Sequence, residues 1–217
     1  VMVVALVLTR ARMGNIAFFA GLGFAGAIAV LSGRRFSWRV VVFLASLLVV
    51  DMLILGKWFG FDQLVERLEQ TQPTEEARVW SNSYTIDYIK DFNLTGSGGG
   101  SFYGIFPNYQ AADLEGFHLH AHNDYLEFAA ELGIPATLLL AAVVGLALWS
   151  AYRVQRLRHT PLYRGAGFAV TMTVVWAALH STTDFNLQMP ANALTFITIL
   201  ALAFVSRGLP GQGQPKT

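Results

Sequence analysis

Cysteine is absent from the 217-residue chain, which excludes disulfides and thiolate metal sites and leaves the redox compartment unreadable. Charge is scarce: only 13% of residues are Asp, Glu, Lys or Arg, against about a quarter in a soluble domain. With 54% hydrophobic residues and a mean hydropathy of +0.46, this deficit points to a bilayer as the solvent. The net charge of +1 gives no global basic field, so no nucleic-acid partner is expected. No signal peptide is visible. The chain begins inside a hydrophobic run, Val1–Leu8, that is too short to cross a membrane. It is therefore read as the C-terminal portion of a longer protein.

Five stretches are long and apolar enough to span, at roughly 14–32, 40–56, 129–150, 165–180 and 191–206. The expected fold is an all-α polytopic membrane protein. It has about five transmembrane helices, a partial one at the N-terminus and a large helical periplasmic loop. The expected divisions are transmembrane helices over 1–56, the loop over 57–128, three transmembrane helices over 129–206 and a cytoplasmic tail over 207–217. Gly21, Gly23 and Gly26 in the first span suit close helix packing.

Charge sets the orientation. Arg34, Arg35 and Arg39 follow the first span, Arg153, Arg156, Arg158 and Arg164 follow the third, and Arg207 and Lys216 follow the last. The positive-inside rule makes these cytoplasmic. Segment 57–131 then lies outside, with 4 basic and 12 acidic residues and a formal charge of −8.

A loop of about 70 residues is too long for a plain connector. Phe61–Gln70 alternates with helical spacing, and Arg78–Phe92 predicts a second helix with Trp80, Tyr84 and Tyr88 on one face. Thr95–Ser101 is a breaker, and His122–Leu132 predicts a helix leading into the third span.

Several clusters offer chemistry. Gly96, Gly98, Gly99 and Gly100 would let backbone amides approach a phosphate, or form a flexible turn. They lack the Lys-Ser/Thr of a P-loop and the strand–helix unit of a dinucleotide site. His118, His120 and His122 alternate, a spacing that suits a metal if the segment is extended, a polar membrane-side loop, or one histidine acting as a base. Arg10 and Arg12 sit between hydrophobic stretches on the outer side, where arginine is disfavoured as a mere anchor. Guanidinium forks suit phosphate oxygens, and Arg78 is a further candidate. Asp51 sits near the outer end of the second span, while His180, Asp184 and Gln188 surround the turn between the last two spans.

The ordered motifs resemble those of the O-antigen ligase and Wzy-type polymerase superfamily. They are Arg78-Val79-Trp80, Thr95 to Phe102, Phe106-Pro107-Asn108-Tyr109, His120 to Glu127, Glu131-Leu132-Gly133, and His180 to Phe185 with Pro190. Thr9 to Gly14 resembles the family's Ser-Arg-Gly element, with Ala11 in place of the small hydroxyl residue and Met13 intervening. The resemblance implies a metal-independent glycosyltransferase of the bacterial inner membrane, with its active site on the periplasmic side and no cofactor. The donor would be a glycan on undecaprenyl diphosphate, and the acceptor lipid A–core, a growing glycan or a protein hydroxyl.

By matching position, Arg12 and Arg78 would bind the donor diphosphate and His122 would be the essential histidine. Arg10, His120, Asn123, Gly98, His180 and Asp184 are candidate substrate contacts. Fixed arginines would stabilise the leaving diphosphate without a metal, and His122 would take the acceptor's proton or orient it. Trp80, Tyr84, Tyr88, Phe102, Tyr103 and Tyr109 would stack on sugars or anchor the interface. The alternatives are a polymerase of the same fold, which the residues do not separate from a ligase, and a transporter or scaffold. A transporter is disfavoured because the spans hold almost no ionisable groups.

Overall fold

The computed structural model describes residues 12–32, 72–111 and 118–209, with isolated helical positions between 38 and 49. The expected second span and the expected helix at Phe61–Gln70 lie outside the described residues. Among those described, every regular element is a helix, and four helices are long and apolar enough to cross a membrane. The fold is all-α and polytopic. By contacts the chain divides into two compact units, one of 1–55, 143–180 and 190–217 and another of 56–142 and 181–189.

The first unit is the helical bundle. α1 (Arg12–Ser32) and α7 (Pro190–Gly208) both pack on α6 (Pro161–His180). α5 (Ile134–Leu157) joins them through a core of Ala147, Ala151, Val170, Val174, Leu200 and Ala203. Small residues set the spacing. A Cβ on Gly21 would stand 2.8 Å from the Met172 carbonyl oxygen, and one on Gly167 2.8 Å from that of Ala151. Backbones that approach this closely gain dispersion contact where lipid gives no hydrophobic drive between helices. Buried Gln155 adds a polar link, its Nε2 donating to the Gly167 carbonyl at 3.2 Å and to Thr171 Oγ1 at 2.9 Å. Outward, α7 exposes Leu194 and Ile197, an apolar surface suited to lipid.

The second unit is built on two helices, α2 (Gln72–Asp91) and α4 (Asp124–Leu132), which pack together. Between them lie the short α3 (Phe102–Ile105) and a 3-10 turn over Phe106–Asn108. Their core is Tyr88, Phe102, Phe106, Ala121 and Ala130. Tyr88 and Phe102 are wholly enclosed, so they are core residues, whereas Trp80 and Tyr103 face outward. Tyr88 stacks on Tyr109 at 5.0 Å between centroids.

The glycine-rich breaker has a definite structure. Its amides cap the last turn of α4: Ser97 N–H donates to Ala130 O at 3.1 Å and Gly98 N–H to Glu131 O at 2.9 Å. These carbonyls would otherwise be orphaned at the helix end. Gly96 has φ +67°, and a Cβ there would lie 2.1 Å from the Glu131 oxygen. The chain then breaks at Gly133 (φ +79°), so the third span runs over Ile134–Leu157 instead of continuing the α4 helix.

Gly96→Ala is expected to destabilise the protein by about 2 kcal/mol or more, through the clash and the left-handed backbone together. Gly104→Ala, where a Cβ meets nothing within 4 Å, is expected to change stability by less than about 0.5 kcal/mol. Unfolding of the purified protein in detergent checks both.

Candidate functional site

One face of α4 organises the second unit. Asp124, Glu127 and Glu131 fall at i, i+3 and i+7 and are all buried, at 1%, 1% and 3% exposure. Each carboxylate accepts from a backbone amide in a different loop. Asp124 Oδ2 accepts from Leu187 N–H at 3.1 Å and from Ser181 Oγ at 2.7 Å. Glu127 Oε2 accepts from Ala121 N–H at 2.9 Å. Glu131 Oε1 accepts from Phe102 N–H at 2.9 Å. A buried carboxylate is costly unless hydrogen-bonded, so these bonds bind loop to helix tightly.

The histidines separate onto different partners. His118 lies edge-on to Phe106, with centroids 6.0 Å apart, at the aromatic core. His120 Nδ1 is 2.7 Å from Glu127 Oε1, and its ring stacks on Phe185 at 4.2 Å. His122 Nδ1 is 3.7 Å from Asp184 Oδ1, and its ring meets Phe185 edge-on at 5.0 Å. Among the described residues no three His, Asp or Glu side chains are arranged to hold a metal ion.

His122 also departs from ordinary backbone geometry. Its φ is +53°, the one positive value at a non-glycine position among the described residues. Both neighbours are held. Ala121 N–H is bound by Glu127, and Asn123 Oδ1 caps α4 by accepting from Tyr125 N–H at 3.1 Å and Leu126 N–H at 3.3 Å. A left-handed non-glycine residue costs on the order of 1–3 kcal/mol and persists only where its surroundings over-determine it.

The structure thus brings His120, His122 and Asp184 together around Phe185, while Asn123, next in the chain, is committed to the α4 cap. Gly98 belongs to the same unit, but its amide is committed to Glu131 and its carbonyl accepts from Ser101 Oγ at 2.6 Å. His180 belongs to the bundle, at the end of α6, 5.3 Å from the Trp176 ring. Arg12 opens α1 and Arg78 lies within α2; both are described in their backbone only, and Arg10 lies outside the described residues.

A family model described as O-antigen ligase matches residues 1–141. The chain belongs to the O-antigen ligase family. It is therefore a membrane enzyme of the ligase and polymerase type. The match includes Arg12, Arg78 and the whole of the His120–Glu127 segment. No curated protein and no solved structure matches the chain.

Three residues that prove central, Asp124, Glu127 and Glu131, are missing from the candidates read in the sequence. Their signal was present: three acids on one stripe of a nine-residue helix that is otherwise apolar on that face.

Burial holds both Asp124 and Glu127 above the ordinary carboxylate range, against the lowering effect of their hydrogen bonds. For Glu127 the ordinary value is 4.5. A carboxyl whose folded pKa is raised contributes stability below the unfolded pKa and loses it as pH rises through the folded one. Glu127→Gln is neutral at all pH and keeps a carbonyl for Ala121. Its stability relative to the parent is therefore expected to improve as pH rises from about 4 to about 8, measured by thermal unfolding across that range.

Proposed function

We propose that the chain forms part of a glycosyltransferase that moves a glycan from undecaprenyl diphosphate to an acceptor hydroxyl at the periplasmic face of the bacterial inner membrane. The observation that carries this reading is His122: an imidazole on a left-handed backbone between two anchored neighbours, beside a carboxylate, in the segment that the family model covers. Backbone strain of this kind clusters at active sites, which supports a chemical role for this residue.

In the proposed reaction the acceptor oxygen attacks the anomeric carbon of the donor sugar. The bond between that carbon and the diphosphate oxygen breaks, and undecaprenyl diphosphate departs with the electron pair. His122 takes the hydroxyl proton. Asp184, 3.7 Å away, stabilises the imidazolium that results. His120, held by Glu127 and Phe185, and Asn123 contact the substrate. Arg12 and Arg78 meet the growing negative charge of the diphosphate with fixed positive charge, so no step needs a metal ion. The acceptor is lipid A–core or another glycan or protein hydroxyl, and a second lipid-linked glycan would engage the same residues in polymerisation.

The test uses the full-length protein in its host with the endogenous copy deleted. His122→Ala is expected to lower transfer about 10²–10⁴-fold, the range for loss of a general base. Arg12→Ala and Arg78→Ala are expected to lower it about 10²-fold or more. Lipid-linked glycan should accumulate while surface glycan falls, with membrane levels of the protein unchanged. Normal surface glycan in all three variants contradicts the assigned site.

A further inference from the structure

The end of the bundle opposite His180 carries a second polar feature. The C-terminal turns of α5 and α7 and the residues that follow them border a cleft of ≈ 310 Å³ lined by Arg153, Val154, Leu157, Arg158 and Arg207. Three arginines line this small volume. They meet little negative charge from the protein: no Asp or Glu occurs between Glu131 and Asp184 or after Asp184, and the bundle unit holds a single carboxylate, Asp51.

Contacts within the protein account for part of the cluster, among them the Arg158 guanidinium 5.7 Å over the Tyr163 ring. Arg158 donates to the Arg207 carbonyl near the end of α7, and Arg207 Nη1 donates to Ser150 Oγ at 3.4 Å. Yet the two helix ends supply only about half a negative charge each, screened by solvent. Three full positive charges exceed that. Arg153, half-buried in the cleft wall, takes part in neither of these hydrogen bonds.

The cleft also has an apolar continuation. Leu146, Trp149, Arg153 and Leu157 follow one stripe of α5 at helical spacing, and Leu146, Trp149 and Leu157 are exposed at 58%, 55% and 57%. Trp149 pairs with Tyr152 at 5.7 Å, an aromatic pair of the kind that sits at head-group depth. A site with a cationic pocket at one end and an exposed apolar stripe leading from it matches an amphiphile with an anionic head.

We propose that this cleft binds the phosphate of an anionic membrane phospholipid, with an acyl chain lying along the Leu146–Trp149 stripe. The chemistry is that of guanidinium forks on phosphate oxygens. By the positive-inside rule the site faces the cytoplasmic leaflet, away from the glycan-transfer face. The inference is independent of the proposed transferase reaction.

The test is native mass spectrometry of the full-length protein in neutral detergent, titrated with phosphatidylglycerol, phosphatidylcholine or inorganic phosphate. One phosphatidylglycerol should be retained in preference to phosphatidylcholine. Arg153→Gln should weaken that retention about fivefold, and each further change among Arg158→Gln and Arg207→Gln by a similar factor. Arg156→Gln should leave it unchanged, because its guanidinium donates to Tyr152 at 2.7 Å outside the cleft. Arg153→Gln alone suffices if the multiple variants do not fold. Equal retention of the two lipids, or unchanged preference in Arg153→Gln, overturns the proposal. Displacement of the lipid by millimolar inorganic phosphate overturns the lipid as occupant and makes the cleft a site for soluble phosphate.

Discussion

The second unit depends on carboxylates that have left water. Asp124, Glu127 and Glu131 lie on one face of a nine-residue helix, each bound to the backbone of a different segment: the start of α3, the histidine segment and the short 3-10 turn over Asn186–Gln188. A helix this short is marginal alone. It is fixed here from both ends: Asn123 caps its first turn, and the amides of Ser97 and Gly98 cap its last. The glycine loop, the histidine segment and the turn before α7 are thereby tied to a single element. Removing one carboxylate would leave a buried amide without a partner, a loss larger than that of an exposed bond.

On the proposed reading of His122, this arrangement lets an enzyme site be built from loops. Loops carry function but lack the rigidity that chemistry requires. Here the rigidity is supplied by charge-assisted bonds in a low-dielectric interior, where each is stronger than in water. The strain at His122 is the local cost of the arrangement. The stacked His120–Phe185 pair and the Asp184 carboxylate define a small polar surface around it. Charge is unevenly divided between the units: buried carboxylates and histidines gather in the loop unit, and Arg153, Arg158 and Arg207 gather in the bundle unit.

Much of the fold was legible in the sequence because a bilayer imposes a coarse rule on composition. Spans near 14–32, 165–180 and 191–206 correspond to helices Arg12–Ser32, Pro161–His180 and Pro190–Gly208. The third span starts later than hydropathy suggests. Leu126, Phe128, Ala129 and Ala130 are as apolar as a membrane helix, yet they belong to α4, and only the backbone break at Gly133 separates the two. The helix through Trp80, Tyr84 and Tyr88 was legible from its spacing, but not that Tyr88 would be interior, since aromatic residues suit a core and a sugar surface equally. The glycine cluster read as a turn or a phosphate cradle; its amides instead cap α4, because the carbonyls they meet lie more than thirty residues away in sequence. The histidine segment was identified, but the carboxylates that position it were not. Asp124, Glu127 and Glu131 stood in the predicted His122–Leu132 helix and in the quoted motifs, but the burial that gives them their role is not visible in sequence.

The central claim is that three buried carboxylates hold three segments of the second unit in place, among them the one that carries His122. Amide hydrogen exchange of the full-length protein in nanodiscs tests it most directly, following the peptides that contain Phe102, Ala121 and Leu187. The account predicts slow exchange at all three amides. In Glu131→Ala, protection should fall first at Phe102, with smaller losses at the other two. Rapid exchange of these amides in the unaltered protein, or undiminished protection at Phe102 in Glu131→Ala, would contradict it.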